Sequence, residues 1–415
     1  MTPGLAVDET TGPADQADPA ALRSPVAGRL GGYAGRLADG QFGPLPVLIG
    51  LAVIWTIFQT ANSRFLSPAN LTNLTLQIAT IVTISVGVVL VLLLGEIDLS
   101  VGVVSGLCAA VTAVLDVKHG VPGFAAIGAG IIAGGAIGTL HGFWVARFKV
   151  PSFVVTLAGL LAWQGALLYV LGDTGTVNLT DPALTRLAGT FYAGAVGWAV
   201  AVVVVAGRVM VALRRRRRRA AAGLPSLPRA GLVTAAAATA AVTFGAAAVF
   251  NADRGLPLAV VLSVGILASV DLLVTKTRFG RHVLAIGGNA EAARRAGIPL
   301  DRIRIAVFAL ASALAAAGGI LGASRLLAVN QSSGSGDLLL NAIAAAVIGG
   351  TSLFGGRGSA WSALLGALVI GSTSNGMDLL AVSSSVKFMV TGGVLLVAAT
   401  VDAGSRRRRA VAARR

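Results

Sequence analysis

Residues 76–95 read LQIATIVTISVGVVLVLLLG, and this stretch decides the fold. It contains no charged side chain. A helix needs about 20 predominantly apolar residues to cross the hydrocarbon core of a membrane. Inside that core the backbone must satisfy its own hydrogen bonds, which an α-helix does within one segment. The stretch therefore predicts a transmembrane helix.

The same pattern recurs along the chain. Comparable apolar segments lie near residues 44–61, 98–115, 121–145, 152–171, 190–212, 230–250, 256–274, 304–328, 338–355, 359–377 and 385–401. The 415 residues are 55% hydrophobic and 12% charged, whereas a soluble domain is about 25% charged. We therefore predict an all-α, polytopic helical membrane protein with about 12 transmembrane helices, located in the cell membrane.

The basic residues predict the orientation of these helices. The chain has 33 Lys and Arg against 17 Asp and Glu, a formal net charge of +16. Cytoplasmic loops of membrane proteins retain Lys and Arg, and placing both termini in the cytoplasm assigns 27 of the 33 to that side. The positive charge thus indicates topology and contact with membrane lipids, rather than binding of nucleic acid.

Composition also divides the chain into regions. Residues 1–42 have no sustained apolar run and predict a disordered cytoplasmic tail, while 403–415 predict a basic cytoplasmic tail. The transmembrane domain is predicted at 43–402, with a loop containing the six arginines Arg214–Arg219 and a second cytoplasmic loop at 275–304.

The sequence contains no pattern typical of a disulfide, a metal site or a catalytic centre. Cys108 is the only cysteine, which excludes an intrachain disulfide and a cysteine-based zinc site. His119, His141 and His282 are far apart in the chain and form no metal-binding spacing. We predict no metal site, no cofactor and no catalytic constellation, so the chain is not expected to be an enzyme.

One polar sequence interrupts the apolar segments, Gly95-Glu96-Ile97-Asp98-Leu99-Ser100. Charges at membrane depth cost at least about 2.5–3.5 kcal/mol unless they are paired or hydrated. The sequence therefore predicts a turn or broken helix beside a polar cavity. Three roles stay open for Asp98 and Ser100: capping of the following helix, contact with a solute or with pathway water, and a proton relay.

A second segment, residues 349–359, is similar to residues 95–105. The two align without gaps and match at four of eleven positions. Transporters often contain internal repeats and carry their solute path at the repeat interface. Because the chain holds 54 glycines, chance similarity of two glycine-rich segments stays an alternative to a true repeat.

The loop between the eighth and ninth apolar segments predicts a short cytoplasmic helix. Asn289 can cap a helix that begins near Ala290, and Gly297-Ile298-Pro299 can end it. Glu291 then lies in the first turn, where a negative charge is favourable, and the small side chains of Ala292, Ala293 and Ala296 are free to enter a partner's groove. An ordinary solvated loop helix is the alternative.

Three motifs in the chain resemble those of permease subunits of bacterial ATP-binding-cassette importers. The loop reads Gly287-Gly288-Asn289-x-Glu291-Ala292-Ala293-Arg294-x-x-Gly297-Ile298, which resembles their signature loop. Residues 95–102 resemble the family's Gly-Gly-Ile-Asp-Leu-Ser-x-Gly, with Glu96 in the place of a glycine. Residues 349–358 resemble its Gly-Gly-x-Ser-Leu-x-Gly-Gly-x-Gly. The resemblance covers roughly residues 45–400 and is closest to the monosaccharide branch, the ribose/xylose permeases.

The resemblance implies a function for the loop. In such importers a short permease helix docks in a cleft of the ATPase, and the matching residues here are Asn289, Glu291, Ala292, Ala293 and Gly297. The ATPase is expected to be a separate subunit, because the chain has no Gly-x-x-x-x-Gly-Lys-Ser/Thr phosphate loop. An extracytoplasmic sugar-binding protein and a second permease copy are further expected partners.

The resemblance also implies the cargo and the plan of the helices. The segment 190–255 adds a pair of spans to the family's ten-helix core, as in members that look like xylose permeases. The expected function is import of a monosaccharide, a pentose such as xylose, by alternating access.

Polar side chains in the apolar segments are candidates for the solute path. These are Asp98, Ser100, Asn341 and Asn375, with Ser372 and Ser374 beside the last of them. Packing roles are the alternative for each. Two other classes of protein stay open: an ion-coupled carrier that uses Glu96 and Asp98, and a membrane scaffold or enzyme without a solute, which the missing catalytic constellation disfavours.

Overall fold

Long apolar segments make the chain predominantly helical, although several of them are rich in glycine. The computed structural model describes residues 45–224, 229–334, 337–394, 396–397 and 400; the predicted tails, 1–42 and 403–415, lie outside them. The helices are α1 (Leu45–Ala61), α2 (Pro68–Leu94), α3 (Val101–Val117), α4 (Gly123–Phe148), α5 (Ser152–Leu171), α6 (Pro182–Gly189), α7 (Gly194–Ala221), α8 (Arg229–Asn251), α9 (Leu258–Lys276), α10 (Arg278–Gly288), α11 (Ala290–Arg295), α12 (Leu300–Leu326), α13 (Asp337–Ile348) and α14 (Ala360–Leu379). Residues 384–394 are also helical.

Seven helices in the described part of the chain are long and apolar enough to cross a membrane: α2, α4, α5, α7, α8, α9 and α12. The helices α1, α3 and α13 are apolar but shorter. Two of them are short because of the polar or glycine-rich segments beside them: 95–100 precedes α3, and 349–359 follows α13. Each of the twelve predicted segments thus contains helix, and seven of the described helices are both long and apolar enough for a span.

The stretch that first indicated a membrane protein is surrounded by other helices. It forms most of α2, in which every residue from Ile78 to Leu94 is buried. Apolar side chains cover all sides of this helix, a pattern typical of a helix buried all round. The helices α9, α12, α13 and α14 all pack against it. The predicted helix is therefore confirmed, but its environment is protein rather than lipid.

The six arginines expected in a loop belong to a helix. Arg214–Arg219 form the last turns of α7, which continues to Ala221. Arginine is a good helix former, and positive charge is favourable near the carboxyl end of a helix. The helix therefore continues through the arginines and does not end at the last apolar residue.

The segments 95–100 and 349–358 both break a helix, and they do so with the same backbone pattern. Gly95 N–H donates to the Leu92 carbonyl (2.9 Å) and Glu96 N–H to that of Val91 (3.1 Å). In the second segment Gly350 N–H donates to Val347 (2.9 Å) and Thr351 N–H to Ala346 (3.0 Å). The same pattern ends other helices of this chain, for example at Gly297 and Ile298, and it is a common way for a helix to end. It is also shifted by one residue from the ungapped sequence alignment, so the repeat stays a prediction.

Four short strands in the described part of the chain connect segments that are distant in sequence: β1 (Thr176–Asn178), β2 (Phe191–Tyr192), β3 (Leu256–Pro257) and β4 (Ala328–Asn330). The strand β1 pairs antiparallel with β4, and β2 pairs antiparallel with β3. The β2–β3 pair brings the starts of α7 and α9 to the same end of the helix bundle. The arginines of α7 and the helix α10 lie at the other ends of α7 and α9, away from this strand pair.

Candidate functional site

The loop between α9 and α12 folds into two short helices. The side chain of Asn289 accepts the N–H of Ala292 (2.9 Å), which confirms the predicted cap of α11. The turn after α11 contains Gly297 with φ of +79°, a left-handed conformation that favours glycine. Sequence reasoning missed α10, although Thr277 carried the signal: its hydroxyl accepts the N–H of Gly280 (3.3 Å) and caps that helix.

The two sides of α11 have different roles. Ala293 is 4% exposed and packs into the hydrophobic core, so the expectation that it is free to enter a partner's groove is wrong. A helix of fewer than two turns has little stability of its own and needs one packed face to hold it in place. Glu291 and Ala292 are exposed on the other side. These two residues, and Ala296 after the helix, are exposed and available to a partner.

Glu291 presents a fixed negative charge at the start of α11. Its carboxylate forms ion pairs with Arg294 and with Arg295, the second at 3.2 Å. The hydrogen bond from Arg294, and then the positive charge of that residue, hold the pKa of Glu291 below its usual value. The side chain therefore stays ionised at neutral pH.

The three segments that carry the family-like motifs, residues 95–102, 287–298 and 349–358, are in contact at the carboxyl end of α10. Gly356 N–H donates to the Leu93 carbonyl oxygen (2.9 Å). A Cβ on Gly355 would lie 2.6 Å from the Gly287 carbonyl oxygen and 2.9 Å from the Cα of Gly95. A Cβ on Gly287 would overlap the Leu93 carbonyl oxygen. We call Gly95, Gly287, Gly355 and Gly356 the glycine junction; here the end of α10 touches both helix breaks, backbone against backbone.

Side chains of α5 stabilise the break at 95–100. The hydroxyl of Ser152 accepts the N–H of Ile97 (3.1 Å), and the hydroxyl of Thr156 accepts that of Leu99 (3.1 Å). These contacts satisfy backbone donors that the broken helix leaves without partners.

Asp98 and Ser100 bond to each other at this break. One oxygen of the Asp98 carboxylate accepts the N–H (2.8 Å) and the hydroxyl (2.6 Å) of Ser100. Asp98 thus closes a turn just before α3, and Ser100 occupies the cap position without a side-chain bond to the helix. Both residues are buried.

A buried histidine extends this contact into α4. The indole N–H of Trp163 donates to Nε2 of His141 (2.9 Å), and Nδ1 of His141 lies 3.4 Å from the hydroxyl of Ser100. Indole is a donor only, so Nε2 accepts and a neutral His141 carries its proton on Nδ1, facing Ser100. Sequence reasoning missed this chain of contacts, because His141 is 41 residues from Ser100. It ties the break to α4 and α5.

Glu96, the residue that departs from the family's glycine, pairs with Arg304 near the start of α12. Their charged atoms are 3.1 Å apart, and the side chains are 20% exposed for Arg304 and 17% for Glu96. Because water screens such a pair only partly, the interaction is stronger than that of a surface ion pair. It joins the first helix break to the helix that follows α11.

Reversing one charge of this pair should weaken the fold. We expect Glu96→Lys to lower the free energy of unfolding by on the order of 2 kcal/mol, because two half-buried cations then face each other. The double variant Glu96→Lys with Arg304→Glu should recover most of the loss. Thermal unfolding of the purified proteins in detergent measures both effects. Equal melting temperatures for the single and double variants would contradict the pairing.

A cavity of about 270 Å³ lies between α2, α3, α12 and α13, and α14 contributes one side chain to its wall. Its polar lining residues are Gln77, Thr80, Ser105, Arg325, Ser333, Asp337, Asn341 and Ser374. Amide, hydroxyl, guanidinium and carboxylate groups together can both donate and accept hydrogen bonds. The cavity is therefore suited to a small polyhydroxylated solute, while its remaining walls are apolar.

The structure separates the residues predicted for the solute path. Asn341 and Ser374 line the cavity, whereas Asp98 and Ser100 do not. Asn375 exchanges two side-chain hydrogen bonds with Asn70 (2.8 and 3.1 Å), and Ser372 accepts one from the indole of Trp55 (2.9 Å). Asn375 and Ser372 thus join α14 to α2 and α1, respectively. Sequence reasoning missed Gln77, Arg325 and Asp337, because they lie on three different helices and nothing in the sequence shows that these helices meet.

Known permeases are similar to the chain over most of its length. The Xylose transport system permease protein XylH of Escherichia coli K12 is 38% identical over 86% of this chain and 91% of its own. That of Haemophilus influenzae is 37% identical over 87% and 96%. The Ribose import permease protein RbsC of Escherichia coli K12 is 32% identical over 86% and 92%. No solved structure matches the chain.

A family model matches residues 70–399, a range that contains the glycine junction, α11 and the cavity. The match agrees with the helices of the described region that can cross a membrane. The protein is a permease of the cell membrane that resembles sugar permeases, as the three motifs predict. This chain belongs to the family described as Branched-chain amino acid transport system / permease component.

Proposed function

We propose that this protein is the membrane-spanning subunit of an ATP-driven importer that moves a pentose by alternating access. Xylose is the pentose that we propose as its cargo. The observation that carries the proposal is the position of α11, whose exposed Glu291 and Ala292 follow directly on the glycine junction. A partner that moves α11 would move both helix breaks. The xylose and ribose permeases among its relatives support a sugar as the cargo.

The energy would come from a separate ATPase that docks on α11. In this proposal Asn289 and Gly297 fix the two ends of the helix, Ala293 holds it against the core, and Glu291 and Ala292 contact the ATPase. An extracytoplasmic sugar-binding protein would dock at the other end of the bundle, where β1 pairs with β4. A second copy of the chain would complete the transporter as a homodimer.

The sugar would pass through the cavity between α2, α3, α12 and α13. Gln77 and Asn341 offer amide groups, while Arg325 and Asp337 offer charged partners for sugar hydroxyls. The cavity lining includes no aromatic side chain among the described residues. Contact with the sugar would then be weak, as is expected of a transport pathway rather than of a high-affinity binding site.

The proposal includes a topology. Twelve spans would comprise a ten-helix core and the added pair α7 and α8, with residues 43–402 forming the membrane domain. Both termini would be cytoplasmic, which places α11 and the arginines of α7 on the side where ATP is available. The positions of the basic residues support this orientation.

Uptake in cells that express the chain with its partners tests this function. We expect accumulation of labelled xylose to disappear when the phosphate-binding lysine of the ATPase is replaced by alanine. Accumulation should persist when a protonophore removes the proton gradient while ATP is maintained. Leucine and ribose serve as competing cargoes, since the family description and the relatives name different solutes. ATP-dependent uptake of leucine without xylose would contradict the sugar; protonophore-sensitive uptake would contradict the energy source.

The ion-coupled alternative is not favoured. Glu96 pairs with Arg304 and Asp98 bonds to Ser100, and neither carboxylate lines the cavity. A carboxylate that binds a transported ion is expected to face the solute path.

A further inference from the structure

The helix α7 has little protein around most of its length. Only Gly197 and Ala201 are buried, and large apolar side chains such as Val203 (68% exposed) and Met210 (50% exposed) face outward. Its main contacts are with α8, its partner in the added helix pair, and with the short strand β3. In a membrane protein such an apolar, outward-facing helix contacts lipid.

The arginines begin where the apolar part of this helix ends. The stretch from Gly194 to Leu213 is about 30 Å long at 1.5 Å per residue, which equals the thickness of the hydrocarbon core. Arg214–Arg219 therefore emerge at the level of the lipid headgroups. Arg208, also exposed, lies less than two turns earlier and can extend its side chain to the same level.

These arginines have no acidic partner in the described part of the chain. None of its ion pairs includes Arg208 or a residue of Arg214–Arg219. Successive helical residues are about 100° apart, so six in a row point in all directions around the axis. One protein surface can neutralise only one side of such a helix, whereas lipid headgroups surround it.

We propose that Arg208 and Arg214–Arg219 bind the phosphates of anionic phospholipids around the end of α7. The guanidinium group matches phosphate geometry with two parallel hydrogen bonds. The added helix pair α7–α8 is thereby a lipid-binding element, which holds a shell of anionic lipid beside the permease. This property does not depend on which solute is transported.

A fluorophore near the arginines tests the proposal. Cys108 is the only cysteine and is buried, so Ala221→Cys provides one accessible labelling site at the end of α7. The labelled full-length chain is placed in nanodiscs with headgroup-labelled phosphatidylglycerol or phosphatidylcholine as energy-transfer acceptor. We expect several-fold stronger transfer to phosphatidylglycerol at equal acceptor density, decreasing as salt is added because exposed charges are screened.

Two variants test whether the lipid preference depends on the positive charge of these side chains. Replacing all six of Arg214–Arg219 with glutamine, which keeps helix propensity, should remove the preference for phosphatidylglycerol. Replacing them with lysine keeps the charge and should retain most of it. Equal transfer to both lipids in the unaltered protein, or a preference that survives the glutamine variant, would overturn the proposal.

Two further measurements distinguish other ligands. Inorganic phosphate at the concentration of the lipid headgroups should reduce the transfer no more than sodium chloride of the same ionic strength; a larger reduction by phosphate would indicate a site for soluble phosphate and would overturn the proposal. Addition of the ATPase should leave the lipid preference unchanged. Its loss on addition of the ATPase would show that the arginines bind protein instead.

Discussion

Replacing Glu291 with lysine is expected to abolish ATP-driven uptake while the chain stays folded in the membrane. The substitution removes the one acidic group of α11 and adds a third cation beside Arg294 and Arg295. A positive charge in the first turn of a helix is also unfavourable. Because the side chain is exposed, the fold itself should lose little stability. What is lost is the surface proposed for the ATPase.

Co-purification of the ATPase with the tagged permease measures this effect, together with uptake of labelled xylose. Asp173→Lys is a matched control, since it makes the same charge change at an exposed position beyond the far end of α5. The control should retain the ATPase. Normal co-purification and uptake with Glu291→Lys would refute the docking role of α11.

Gly287→Ala should be the most damaging single-methyl change in the glycine junction. The new Cβ would overlap the carbonyl oxygen of Leu93 and come within 2.6 Å of the backbone nitrogen of Gly356. Backbone atoms cannot rotate away as a side chain can, so α10 must shift. Overpacking of this kind costs about 1–3 kcal/mol. We expect a lower melting temperature and loss of ATP-driven uptake, since both helix breaks depend on this contact.

The neighbouring glycine provides the control. Gly288→Ala adds the same methyl group in the same turn of α10, but its Cβ would meet no atom within 4 Å. Helix propensity changes equally in the two variants, so their difference isolates the close approach. Similar melting temperatures and uptake rates for Gly287→Ala and Gly288→Ala would contradict the importance of the junction.

The sequence predicted the helices because membrane spans depend on local composition. Apolar length alone locates α2, and the cost of charges in lipid locates the break at Glu96 and Asp98. The cap at Asn289 was also predictable, because capping needs only residues close in the chain. These features required no knowledge of how the helices pack.

Features that depend on packing were not predictable. Nothing in residues 76–94 distinguishes a helix surrounded by protein from one in lipid, because both are apolar on all sides. The burial of Ala293, the contact of His141 with Ser100 and the meeting of Gly287 with Leu93 each depend on helix rotation. So does the cavity, whose polar residues come from five helices and one loop. The three motifs gave the identity of the segments that meet but not the fact that they meet.

The helix α12 runs without interruption from the turn after α11 to the strand β4. It packs against α2, α3 and α4, and its far end lines the cavity with Arg325. Binding free energies at the two ends of one rigid element are linked, and linkage is reciprocal. If nucleotide in the ATPase changes the affinity for a loaded sugar-binding protein by some factor, the loaded binding protein must change the nucleotide affinity by the same factor.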